Sequence, residues 1–133
     1  MFRFLSGIAA GSFFAGVVLV VVIDGQQAAP PASALKNPVA STPKSVEAGR
    51  KLFQQYCKAC HGEDAKGNGP LASKDLHPPN LTDDVWLYGS SDGEIFSNIR
   101  NGVGPKFDMK AWKSKMTDAE VWSIVNYLRS LGH

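Results

Sequence analysis

Cys57-Lys58-Ala59-Cys60-His61 brings the two cysteines of the chain and one of its three histidines into a single short stretch. Three chemistries use such a pattern. A dithiol oxidoreductase spaces its thiols this way, usually in a β-α-β setting that the flanking residues do not suggest. A zinc site needs four ligands, and the other histidines, His77 and His133, are isolated. Haem attachment needs only what is present. Thiols three positions apart at a helix end can reach two vinyl groups on one porphyrin edge, and the following imidazole can face the iron. The stretch is read as a c-type haem attachment motif, with a Cys57–Cys60 disulfide as its structural alternative.

Such a motif has to be held by surrounding elements. Val46, Gly49, Phe53 and Tyr56 recur at helical spacing, which predicts an amphipathic helix running from about Ser45 into the motif. Thr117-Asp118-Ala119-Glu120 has the form of a capping box, in which hydroxyl and carboxylate satisfy free N–H groups at a helix start. Val121, Ile124, Val125, Leu128 and Leu131 then make one apolar face, and Gly132 is a plausible stop. A shorter helix is expected from Ser91 to Arg100, begun by Ser90 or Ser91 with Asp92 and Glu94 in its first turn. Between these lie loops rich in Gly, Pro and Asn, with no alternating strand and no repeat. Three helices and long polar loops make a thin core, and a large apolar cofactor would supply its centre.

The chain has 133 residues, a net charge of +2 and 20% charged residues, which bounds it to one modest domain and gives no field for nucleic acid. Its hydrophobicity is concentrated at the front. Phe4 to Ile23 holds no charge, with Arg3 before it and Asp24 after it. A helix of that length spans about 30 Å, the hydrocarbon thickness of a bilayer. Residues 1–24 are therefore expected to form a transmembrane anchor, with a cleaved signal sequence as the alternative. Arg3 sets the N-terminus inside and the rest of the chain outside the cytoplasmic membrane, on the periplasmic side. Residues 25–43, with four prolines and many alanines, are expected to be a linker without a core of its own, with an ordered strap along a partner as the alternative for part of it.

From about Ser45 to His133 the chain resembles the bacterial class I mono-haem cytochromes c. EAGRKLFQQYCKACHG, GNGPL, GSSDGEIFSNIRNG, a methionine loop and MTDAEVWSIVNYLRSL carry the likeness. It implies an all-α cytochrome c fold over residues 44–133, with helices around one covalent haem c. It implies thioether links at Cys57 and Cys60 and His61 as proximal ligand. First and last helices would meet through Gly49 and Phe53 on one and Ile124 and Tyr127 on the other. The family also uses a proline carbonyl to accept the Nδ1–H of the proximal histidine. Pro70 in GNGPL matches it, with Pro78 and Pro79 as substitutes.

The second axial ligand has four candidates, Met109, Met116, His77 and His133. Met116 has a structural use, since it precedes the Thr117 cap and can form a hydrophobic staple with Val121. Met109 has no such use, and the resemblance puts the ligand methionine in its loop, although Lys110 stands where proline is usual. His/Met ligation would leave no position for oxygen or peroxide and would suit electron transfer. The expected function is thus a one-electron carrier, not an enzyme. It would work as a tethered shuttle or as a complex subunit, with a quinol-oxidising complex, terminal oxidase or photosynthetic reaction centre as partner. The alternative is a peroxidase-like haem enzyme or small-ligand sensor with a labile sixth ligand. Lys106, Lys110, Lys113 and Lys115 crowd around Met109 against Asp108, a rim suited to an acidic docking surface.

Overall fold

The computed structural model describes residues 29–72, 75, 77–105 and 108–132. The expected anchor at 4–23 lies outside them. Among the described residues no helix is long and apolar enough to cross a membrane.

Residue 49 has no room for a side chain. A Cβ there would sit 1.9 Å from the Ser123 carbonyl oxygen and 2.9 Å from the Tyr127 Cβ. Glycine therefore lets helix α1, Pro43–Tyr56, lie directly on helix α4, Asp118–Arg129. One turn on, Phe53 meets Tyr127 with ring centroids 5.4 Å apart. Phe53, Val121, Ile124 and Val125 are the most completely buried large side chains and form the centre of the core. The helix contact expected between Gly49/Phe53 and Tyr127 is present, and Ile124 lies in the same core.

Between these two come a single helical turn, α2, Lys58–His61, and helix α3, Asp92–Asn101. α3 packs on α4 through Phe96 and Trp122, whose rings stack at 4.1 Å. Arg129 also pairs with Asp92 at 2.7 Å and donates to the Ser90 carbonyl, which ties the end of α4 to the start of α3. All three long helices start in capping boxes. Thr42 pairs with Ser45, Ser91 with Glu94, and Thr117 with Glu120, and Pro43 occupies the first position of α1, where its missing N–H costs nothing. No strand occurs among the described residues, and one antiparallel bridge joins Val103 to Met109.

The latter part of the expected linker is not free. Ala32–Ala34 forms a 3-10 turn against α3, and Leu35 and Val39 are half-buried on the core. Asn37 Nδ2 donates to the Trp122 carbonyl at 3.2 Å and to Asn126 Oδ1 at 2.8 Å. Asn126 Nδ2 in turn donates to the carbonyls of Val39 at 3.0 Å and Ala40 at 3.3 Å. Beyond that 3-10 turn, the side chain of Asn126 supplies hydrogen bonds that no regular element provides here.

Candidate haem site

α1 delivers Cys57 as its C-terminal cap, and α2 carries Cys60 and His61 one turn further. The backbone bonds Cys60 N–H to Cys57 O at 3.1 Å and His61 N–H to Cys57 O at 2.9 Å put the three side chains on one short helical turn. They open onto a cavity of about 610 Å³, which also has Met109 in its lining. That size lies in the range of pockets that enclose small-molecule ligands.

Both cysteines are free, so the disulfide alternative is not formed. Burial, with a smaller contribution from Cys60, pushes the Cys57 thiol up to about 12. A redox dithiol needs the opposite, a thiol lowered by positive neighbours. No second set of ligands for a metal ion gathers among the described residues. Both thiols remain available for a covalent link to a ligand in the cavity.

His61 is buried, and burial is the larger influence on its ring, holding its pKa below the ordinary value. The Pro79 carbonyl faces the ring and pulls the other way. It does so without completing a hydrogen bond, because Nδ1 is buried with no partner. Leaving such an atom unpaired is costly. A coordinating imidazole resolves this, since it binds through one nitrogen and gives the other N–H to a carbonyl. The neutral ring, the unpaired Nδ1, the apolar cavity and the two free thiols beside it fit a covalent haem.

Pro70 does not occupy the place expected for it. It is exposed and absent from the cavity lining, whereas Pro78 and Pro79 are part of it. The reason is local. Gly69 N–H bonds to Cys60 O at 3.1 Å and Leu71 N–H to Ala59 O at 2.7 Å, so the turn at Pro70 is stitched behind the motif. The later loop instead runs over Gly67, where a Cβ would meet the Pro78 carbonyl at 2.1 Å, and is fixed by Leu81 N–H to Ala65 O at 2.7 Å.

Met109 is held beside the cavity by its bridge to Val103, with Val103 N–H to Met109 O at 2.9 Å. Trp112 N–H to Ile99 O at 3.1 Å and Lys113 N–H to Arg100 O at 3.1 Å pin the following residues to the end of α3. Met116 lies elsewhere, buried in the core beside Val121 as a staple requires. His77 lines the cavity but is exposed, and His133 lies outside the described residues. Trp112 packs on Tyr56 at 5.5 Å and carries Lys110 Nζ 4.7 Å over its ring. Lys113 and Lys115 are exposed further along the same loop, and Lys106 is not among the described residues. Arg100 pairs with Asp118 at 2.7 Å and does not line the cavity.

Val85, Trp86, Leu87 and Tyr88 form a wall of the cavity that was not singled out as a unit from sequence. Their signal was a run of large apolar residues in a stretch with no periodicity.

The chain is similar to known proteins. The family described as "Cytochrome C oxidase, cbb3-type, subunit III" matches residues 44–128. The FixP subunit of a cbb3-type cytochrome c oxidase from Bradyrhizobium sp. (strain ORS 278) is 39% identical over 85 residues, covering 64% of this chain and 27% of that protein. The CcoP subunit from Rhodobacter capsulatus is 36% identical over 90 residues, covering 64% and 29%. The chain thus spans less than a third of the length of these curated relatives. Among solved structures, the KustC0563 c-type cytochrome superposes with a TM-score of 0.52 at 34% identity, covering 64% of this chain and 98% of that one. The Kuenenia stuttgartiensis reducing HAO-like protein complex Kustc0457/Kustc0458 gives a TM-score of 0.64 at 26% identity, covering 76% and 49%. On a match that takes in the cysteine-histidine motif, the methionine loop and both core helices, the chain belongs to the cytochrome c oxidase, cbb3-type, subunit III family, whose haem-bearing cytochrome c domains carry electrons.

Proposed function

We propose that this chain is a membrane-anchored, class I mono-haem cytochrome c that passes single electrons at the outer face of the cytoplasmic membrane. The observation that carries the reading is one cavity that Cys57, Cys60, His61 and Met109 all line. Cys57 and Cys60 bind the haem covalently, and one such motif makes one haem c. His61 and Met109 would be the protein's ligands to its iron. Pro79, rather than Pro70, supplies the carbonyl for the His61 Nδ1–H. The bound haem supplies a one-electron couple. The protein's part is to keep that couple dry, six-coordinate and close to the surface.

Each residue has a task in this scheme. His61 stays neutral and oriented by burial. Met109 contributes a soft thioether that favours reduced iron. Val85, Leu87 and Tyr88 exclude water from one side. The relatives are named as subunits of cbb3-type cytochrome c oxidases, so a terminal oxidase is the favoured partner, ahead of a quinol-oxidising complex or a photosynthetic reaction centre. Residues 4–23 anchor the chain, and exposed Lys110, Lys113 and Lys115 offer positive charge to an acidic docking surface.

The test is Met109→Ala in the oxidised holoprotein. Loss of the sulfur-to-iron charge-transfer band at the red end of the spectrum is expected, together with carbon monoxide binding in the reduced state. An unchanged spectrum refutes Met109 as ligand. A high-spin ferric spectrum in the unaltered protein would instead favour the enzyme or sensor reading.

A further inference from the structure

Residues 32–40, between the proposed anchor and the haem domain, are docked on the face of the domain that turns away from the cavity. We infer that they form a fixed mount and not a swinging tether, so that the partner is held in the same membrane within short reach. This rests on the anchor proposed above.

The docking site is built to receive the strap. At Gly93 in the first turn of α3, a Cβ would lie 1.9 Å from the Ala32 carbonyl oxygen, 2.6 Å from the Leu35 Cβ and 2.9 Å from the Leu35 carbonyl oxygen. All three of these nearest atoms belong to the strap. Helix α3 therefore gives up a better helix former at this position to let 32–35 lie against it. On α4, Asn126 is 5% exposed and sits in the buried, mostly apolar run Val121–Leu128. Its amide spends its donors on Val39, Ala40 and Ser45 Oγ and accepts from Asn37. Three of these four partners, Asn37, Val39 and Ala40, lie on the strap, so the buried amide keeps only Ser45 Oγ when the strap departs.

The two faces are distinct. Asn126 faces the strap, and Leu128, two residues later and about 200° around α4, lines the cavity. Gly93 faces the strap, and Ile99, six residues later and about 120° around α3, lines the cavity. The chain thus arrives at the back of the domain and leaves the cavity side clear. A wholly free stretch from Asp24 to Pro43 could extend to about 60 Å, whereas the residues ahead of the strap, 24–31, extend to about 25 Å. That reach suits a redox centre in a neighbouring membrane protein and not a distant one.

Paired insertions test this. Nitroxide labels at Gln26→Cys and Ser114→Cys report the separation of linker start and domain in the full-length holoprotein in lipid nanodiscs. A ten-residue Gly/Ser insertion between Pro30 and Pro31 is expected to lengthen the mean separation by about 9 Å. The same insertion between Ala40 and Ser41 is expected to leave it unchanged. In the Gly93→Ala background, with the strap displaced, both insertions should lengthen it alike, by about 6 Å. Equal lengthening by both insertions in the otherwise unaltered protein overturns the mount. Gly93→Ala folding is checked by circular dichroism, and hydrogen exchange at the Leu35 amide gives an independent reading. Protection lost on Gly93→Ala or Asn37→Ala supports docking, and an unprotected Leu35 in the unaltered protein overturns it. Vesicle co-sedimentation reads the anchor separately, so loss of membrane binding with the insertion pattern intact would refute the anchor alone.

Discussion

Two irregular stretches of the chain, 32–40 and 77–89, are held in opposite ways. The first has small side chains and prolines, yet its polar groups are answered by Asn126 and Asn37, and Leu35 and Val39 sink onto the core. The second carries large apolar side chains, yet Val85, Leu87 and Tyr88 remain 66%, 74% and 53% exposed while lining the cavity. It is kept in shape by short polar turns, such as Val85 N–H to Asp83 Oδ1 at 2.9 Å, and by Asn98 Nδ2 donating to the Tyr88 carbonyl at 3.0 Å. One stretch is ordered by the protein itself. The other presents its apolar area to whatever fills the cavity. Composition alone would have ranked them the other way, since apolar residues usually mark the better-anchored segment.

The strongest way to break this contrast is to remove the frame that both share. Gly49→Val forces two methyl groups and a Cβ into the Ser123 backbone, which cannot retreat without separating α1 from α4. A loss of about 3 kcal/mol or more is expected, measured by denaturant unfolding of the holoprotein. Strap and wall should lose hydrogen-exchange protection together. A variant that kept one protected and not the other would mean that the strap or the wall stands on something besides the α1–α4 contact.

The contrast sharpens when each stretch loses its own anchor. Asn126→Ala takes from Asn37 one of its two acceptors and from the Val39 and Ala40 carbonyls the amide that donates to them, and is expected to cost about 1–3 kcal/mol. The strap should gain exchange while residues 77–89 keep their protection. Asn98→Ala removes only the bond to Tyr88 and is expected to cost about 1 kcal/mol. Its effect should be confined to the wall. Cross-talk, with Asn126→Ala loosening the wall or Asn98→Ala loosening the strap, would show that α3 and α4 couple the two faces.

Local signals explain which parts were readable beforehand. The two later helices announce themselves through Ser91/Glu94 and Thr117/Glu120, because a capping box is written within four residues. The cysteine-histidine motif is equally local. α1 begins at Pro43, ahead of the apolar pattern that started the reading at Ser45, because its cap uses Thr42 and Ser45 rather than an acidic partner. The strap depended on a side chain far away in sequence. Its one visible trace was Asn126 on an apolar helix face, beside a glycine at position 93 that α3 did not need for itself. The place of Pro79 on the cavity was hidden for a similar reason, since seeing that it and not Pro70 lines the cavity requires knowing which turn is sewn to the motif backbone.

The smallest expected effect concerns acid. Glu94 is held below its ordinary value of 4.5, first by the Ser91 side chain and then by its backbone N–H. Glu120 is held below it by the Thr117 backbone and side chain. A carboxylate with a lower pKa in the folded state stabilises the fold above its unfolded value. That contribution disappears as pH falls through the folded value. Both groups are near the surface, so solvent keeps the effect small. Glu94→Gln and Glu120→Gln should therefore lower the thermal midpoint slightly at neutral pH, and the deficit should vanish as pH falls below the lowered folded-state values. The two caps bear on the comparison differently. Glu94 starts the helix that carries both the strap contact at Gly93 and the wall contact at Asn98, so its loss should loosen both stretches. Glu120 starts α4, which holds the strap through Asn126 and touches the cavity only at Leu128, so its loss should favour exchange in the strap. A deficit that persists unchanged in acid would assign these residues to packing rather than to charge-assisted capping.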